Sequence, residues 1–150
     1  MSDLIAHESA LPDPQVHPEF YDDVMVKRFL AWLVDSVLVW GLWVVLSVLT
    51  LGLLIWLLPF FAVLDFVYRA ATLSRRSATW GMRLAGIELR DSRGEPLDGG
   101  QAFAHTAGYM FSMVMFFPVQ IASIVMMAIS DRRQSLTDLA LGTAVINRRA

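Results

Sequence analysis

Asp35 is the residue whose chemistry most needs an explanation. It lies in a run from Phe29 to Tyr68 whose only other charged residue is Asp65. An ionisable side chain at the centre of a bilayer costs roughly 2.5–3.5 kcal/mol, so such groups are retained for a partner, a ligand or a proton pathway. Arg28 precedes Asp35 by seven residues and shares its helix face, but at about 10 Å along the axis. Helical side chains lean toward the amino end, so Arg28 points to the interface and the two do not pair within the helix. Asp65 stands four residues before Arg69, an acidic-before-basic pair that supports a helix without any further role.

Other chemistry has little support. The sequence holds no H-E-x-x-H, no Gly-rich phosphate loop after a strand, and no nucleophile–base constellation at motif spacing. Without cysteine there is no disulfide framework and no thiolate metal site. Met110, Met113, Met115, Met126 and Met127 are soft donors in principle, but lacking Cys or paired His they read as gap-filling side chains. His7 and His17 read as solvated groups in a Pro-containing tail, and His105 as an interfacial hydrogen-bonding residue. The expectation is a protein that is not an enzyme and takes no cofactor and no metal.

The elements that must position these charges follow from composition. Hydrophobic residues make up 56% of the chain and charged residues 17%, below the usual quarter for a soluble domain. The net charge of −2 hides segregation. Residues 1–28 carry six acidic against two basic side chains, 69–100 six basic against four acidic, and 130–150 four basic against two acidic. No domain is basic enough for nucleic acid. The run 29–68 is about 40 residues, enough for two crossings of a roughly 30 Å apolar core. It predicts a helical hairpin over about 29–49 and 53–68, with Thr50-Leu51-Gly52 as the turn and Pro59 inside the second span. Lys27 and Arg28 at the start of the first span place that end in the cytoplasm. Residues 1–26 do not read as a cleavable signal and form an acidic, flexible or surface-lying arm, leaving 27–150 as the membrane domain.

A third apolar segment, about 102–129, has no charged residue over Gln101–Ser130. Two crossings would need about 40 residues, and one crossing would put Arg132, Arg133, Arg148 and Arg149 outside, against the positive-inside bias. A bent or re-entrant segment that breaks near Phe116-Phe117-Pro118 keeps the basic residues on one side. Ala104, Gly108 and Ser112 recur at every fourth position, the stripe that lets membrane helices approach. A small cytoplasmic β element completes the fold. Its pieces are 84–97, where Ile87–Arg90 alternates, Asp91–Gly94 turns and Glu95-Pro96-Leu97 can return only at an edge, and 142–147, which finds the first strand because lone short strands are marginal.

Three motifs carry a resemblance. Arg28-Phe-Leu-Ala31-Trp-Leu-Val-Asp35, Thr79-Trp-Gly81-Met-Arg83-Leu84 and Asp131-Arg132-Arg133-Gln134-Ser-Leu136-Thr-Asp138 through Gly142-Thr143-Ala-Val145 resemble, in order, the motifs of the RDD family of small integral membrane proteins. The resemblance covers about 27–147. It implies that Arg28, Asp35 and Asp138 are the family's charged residues, with Thr79, Gly81, Arg83, Arg132 and Arg133 as secondary candidates. His105 and Thr137 stand where members often carry Arg and His. The implied function is transport of an unidentified ligand, in a multi-pass protein of the inner membrane. The residues themselves leave three readings open. Arg28, Asp35 and Asp138 form a polar clasp tying the carboxyl block onto the first helix, with Arg28 paired to Asp138; Asp35 binds an ion or ligand; or Arg28, Arg132 and Arg133 meet lipid headgroups. Two functions of different class follow: a small transporter or ion-coupled carrier, or an accessory or assembly subunit of a larger membrane complex. Partners expected are the lipid bilayer and either a homo-oligomer or that complex.

Overall fold

The computed structural model describes residues 9–115 and 117–148. Helix α1 runs from Val24 to Leu49, α2 from Leu58 to Arg76, α3 from Trp80 to Leu84, α4 from Gly99 to Val114, α5 from Phe117 to Ile129 and α6 from Leu136 to Leu141. Strands β1, Ile87–Arg90, and β2, Ala144–Asn147, form an antiparallel pair in which Leu89 faces Val145 and Glu88 faces Ile146. Short 3-10 turns cover Pro18–Phe20 and Leu53–Trp56.

Helix α1 explains its own orientation. Its buried residues from Ala31 onward are Asp35, Val39, Trp43 and Ser47, a stripe at every fourth position that winds slowly along one face. The remaining faces present Phe29, Val37, Trp40, Val44, Val45 and Val48 outward. Large aliphatic and aromatic groups therefore cover the outside, while a carboxylate and a hydroxyl occupy the inside. Pro18–Leu49 is long and apolar enough to cross a membrane, with a mean hydropathy of 2.1 and 22% of its most apolar window buried. Helix α5 is apolar but shorter.

The return leg differs from the expected span at 53–68. Leu51 and Gly52 make the turn with left-handed φ values of 54° and 82°, followed by the 3-10 turn, and α2 begins only at Leu58. Pro59 sits in the first turn of α2, not inside a span. Its missing N–H is harmless there, whereas deeper in a helix it would break a backbone bond. The helix then continues past Tyr68 to Arg76, so its second half carries the charges. Trp40 and Trp43 pack against Phe60 and Phe61 across the hairpin, with ring centroids 4.8–6.4 Å apart.

The third apolar segment is two helices, α4 ending at Val114 and α5 beginning at Phe117, beside the expected break, of which residue 116 lies outside the described residues. Helix α4 packs chiefly along α2. Its amino end is fixed by a capping box between Asp98 and Gln101, which satisfies free amides reciprocally. Gly108 faces α6: a Cβ built there would stand 2.7 Å from the Thr137 methyl, so this member of the small-residue stripe sets how closely α6 lies on α4.

The β element forms as expected between the two pieces, but Glu95-Pro96-Leu97 adds no edge strand: among the described residues β1 pairs with β2 alone. It folds back as a tight loop, with the Asp91 amide donating to the Glu95 carbonyl at 3.0 Å and the Asp91 carboxylate accepting from the Arg93 and Glu95 amides at 2.9 Å each. Ser77 ties this layer to α2: its carbonyl accepts from the Leu89 amide at 2.8 Å and its hydroxyl from the Leu97 amide at 2.6 Å. From residue 9 on, the acidic stretch before α1 is docked against the β element. Leu11, Phe20 and Tyr21 are buried with Ala144 and Ile146, and the Asn147 amide donates to the carbonyls of Glu19 and Asp22 at 2.8 and 2.9 Å. Its apolar residues, few as they are, cover the open face of a two-stranded ladder. His17 pairs with Glu19 at the surface; His7 lies outside the described residues.

Candidate functional site

Two carboxylates organise the helices around the amino-terminal half of α1. Asp138 is the third residue of α6 and forms a capping box with Ser135. Its Oδ2 accepts from the Ser135 amide at 2.9 Å, the Ser135 hydroxyl at 2.8 Å and Arg28 Nη1 at 2.6 Å. Its Oδ1 faces His105 Nε2 at 2.8 Å and accepts from the Thr143 hydroxyl at 3.2 Å. The group is fully buried, and the Arg28 side chain is 18% exposed. Burial alone would raise the Asp138 carboxyl, but the Arg28 charge, His105 and the Ser135 amide outweigh it and hold it far below the usual carboxylate range. Asp138 therefore stays ionised and joins α1, α4 and α6 in one place. Nearby, Lys27 Nζ donates to Asn147 Oδ1 at 2.7 Å, fixing β2 to the start of α1.

Asp35 is two helical turns further along α1 and is 1% exposed. Its Oδ1 accepts from the Tyr68 hydroxyl at 2.6 Å and the Gly81 amide at 2.8 Å, and its Oδ2 from the Thr79 hydroxyl at 2.6 Å. Arg69 Nη1 stands 3.7 Å from Oδ2. Three hydrogen-bond donors and one guanidinium at ion-pair distance thus surround one carboxylate. Thr79 also caps α3, accepting from the Met82 amide at 3.2 Å. Gly81 is sterically required: a Cβ there would lie 2.1 Å from the Ala31 carbonyl oxygen and 2.9 Å from Asp35 Cγ. Arg69 in turn pairs with Asp65 at 3.0 Å, as its spacing predicts, and lies over the Tyr109 ring at 4.4 Å. Tyr109 Oη accepts from Trp32 Nε1 at 3.0 Å, closing a polar loop through α1, α2 and α4.

The three charged residues named from the sequence fall into these two nodes, and Arg28 and Asp35 do not contact each other directly. Thr79 and Gly81 join Asp35. Arg83 does not; its guanidinium stacks on Trp80 at 4.4 Å. Arg133 Nη1 donates to the Ala128 carbonyl at 2.5 Å, closing the end of α5. Arg132 lies by the Tyr21 hydroxyl, which burial nevertheless pushes up. Sequence reasoning left out His105, Tyr68 and Arg69 as site members. Only the pattern Ser135-x-x-Asp138, a capping signature, was there to indicate that Asp138 would bind its own helix start.

The RDD family profile matches residues 24–142, which include Arg28, Asp35 and Asp138, the first two motifs and the third as far as Gly142. The chain belongs to the RDD family. Searches against curated proteins and against solved structures gave no match. RDD membership, together with the apolar helix Pro18–Leu49, marks it as a membrane protein.

Proposed function

We propose that this RDD protein is a multi-pass inner-membrane protein with its amino terminus, β element and carboxyl tail in the cytoplasm, acting as a non-enzymatic accessory or assembly subunit of a larger membrane complex. The observation that carries this reading is that groups of the chain itself hold both buried carboxylates, five hydrogen bonds at Asp138 and three at Asp35 with Arg69 at 3.7 Å beside it. A carboxylate that receives a transported cation or ligand needs a free acceptor position. Here Asp35 and Asp138 spend theirs on holding α1, α2, α3, α4 and α6 in register, the work of a clasp. The apolar exterior of α1 and its exposed Trp40 then face lipid or a partner's helices, which carry no charge to recognise.

The carrier reading would require the Tyr68, Thr79 and Gly81 bonds to open during each cycle. Capture from native membranes at the chain's own expression level separates the two. A stoichiometric membrane partner, retained by Asp35→Asn where the variant accumulates, is the expected result. Proton- or cation-coupled flux in proteoliposomes that Asp35→Asn abolishes, with no partner captured, would overturn the proposal. Topology is checked separately: a reporter fused after Ala150 should be active only in its cytoplasmic form.

A further inference from the structure

Resting on the membrane reading above, we infer that the end of α2 and the outer face of α3 form a binding surface for the phosphate headgroup of an anionic phospholipid. Three guanidinium groups gather within nine residues, Arg75, Arg76 and Arg83, and among the described residues none has a carboxylate within ion-pair distance. This sets them apart from the basic residues that sequence considerations offered to lipid. Arg28 is engaged by Asp138 and Arg133 by a backbone carbonyl. A helix C-terminus welcomes Arg75 and Arg76 on its own account, but it does not explain Arg83, which lies on the next helix.

Helix α3 supplies the second half of the surface. Gly81 is pressed on Ala31 and Asp35, which leaves Trp80 and Leu84, four apart, facing outward at 52% and 75% exposure. Contact with Ala31 and Asp35 puts α3 about 5–10 Å inside the level of Arg28 along α1, the depth at which amphipathic helices bury their apolar face and Trp rings settle. Arg83 stacks its plane on Trp80, and stacking uses the face of the guanidinium while its edge donors stay free for phosphate oxygens. The buried link Ser77-Ala78-Thr79 fixes the end of α2 to the start of α3, so the three cations are presented by a rigid frame. An acyl chain beside Trp80 and Leu84 with its phosphate among Arg75, Arg76 and Arg83 satisfies both the apolar and the charged part.

The test uses the full chain in nanodiscs of equal phosphatidylglycerol and phosphatidylcholine, released into native mass spectrometry to count retained lipids of each kind. Wild type should retain phosphatidylglycerol in excess. Substituting Arg75→Gln, Arg76→Gln and Arg83→Gln together should reduce that preference on the order of tenfold or more, Arg75→Lys with Arg76→Lys should keep most of it, and Arg132→Gln with Arg133→Gln should leave it unchanged. An unchanged preference in the triple Gln variant overturns the inference, as does a dimeric species without excess phosphatidylglycerol, which would assign the face to a second copy. Extraction of the wild type from membranes by alkaline carbonate would defeat the membrane reading itself. Stable integration without lipid preference would defeat only this inference.

Discussion

Asp138→Ala removes the one group on which five donors converge. It leaves Arg28 charged and largely out of water, and it strips partners from His105, the Thr143 hydroxyl and the Ser135 amide. Breaking a buried pair from one side typically costs about 3–5 kcal/mol, most of it the penalty of the charge left behind. The capping box of α6 goes too, adding about 1 kcal/mol. At about 2–4 °C per kcal/mol for a chain of this size, the detergent-solubilised protein should melt about 8–24 °C lower, and its accumulation in membranes should fall. Asp138→Asn is the more searching change. Its retained oxygen can take the Oδ2 position against Arg28 and Ser135, while the amide at Oδ1 is met by a rotated Thr143 hydroxyl and the other His105 tautomer. It should therefore lose only the charge-assisted part, about 1.5–3 kcal/mol. Arg28→Ala spares the other four donors and should cost less than Asp138→Ala. The double alanine change should be less damaging than the two losses added, with a coupling of about 0.5–3 kcal/mol. Strictly additive losses, or an Asn variant as unstable as the Ala one, would refute the argument that Arg28 and Asp138 stabilise each other.

Gly81→Ala should destabilise by about 3 kcal/mol or more, since the methyl meets a backbone oxygen that cannot move aside, while Gly41→Ala, with nothing within 4 Å, should be neutral or raise the melting temperature slightly. Thr79→Val keeps the shape but removes the donor to Asp35 and the α3 cap, and should cost about 1–3 kcal/mol; Thr79→Ser should recover most of that in the same melting assay. Acid should unfold the protein in a predictable sense. The depressed Asp138 carboxyl contributes its full stability above about pH 4, where the unfolded carboxyl is ionised, and that contribution declines as pH falls below it. Melting temperatures recorded from pH 6 to pH 3 should therefore drop at the acid end for wild type, and less steeply for Asp138→Asn.

The first helix, the break in the third segment and the pairing of β1 with β2 were legible because each rests on local pattern: an uninterrupted apolar run, a proline after two aromatics, alternation with few strands to choose among. The Arg28–Asp138 contact was legible for another reason, that two charges at one interface have few alternatives. Other features depended on tertiary packing. Tyr68 and Arg69 look like ordinary interfacial residues until α2 is known to continue to Arg76. Gly81 looks like a turn residue until α3 is pressed on Ala31. The start of α2 falls later than the apolar run indicates because Pro59 is best accommodated in a helix's first turn, which the run alone does not show. His105 could not be assigned to Asp138 without knowing that α6 folds back on α4.

The two nodes also differ in how long each waits for its partners during synthesis. Asp35 meets Tyr68, Thr79 and Gly81 across separations of 33 to 46 residues, whereas Arg28 and Asp138 are 110 apart. At about 5–20 residues per second, the deep carboxylate gains its donors within seconds of leaving the ribosome, and the outer arginine waits about 5–20 s. A nascent chain thus passes through a stage in which the helical hairpin is locked from inside while the end that carries Arg28 is still open. Stalling or truncation before Ser135 would hold it there, exposing Arg28 and the apolar side of α4 to quality-control proteases. Arg28–Asp138 is the last latch of assembly, and it closes only when the final motif has been translated.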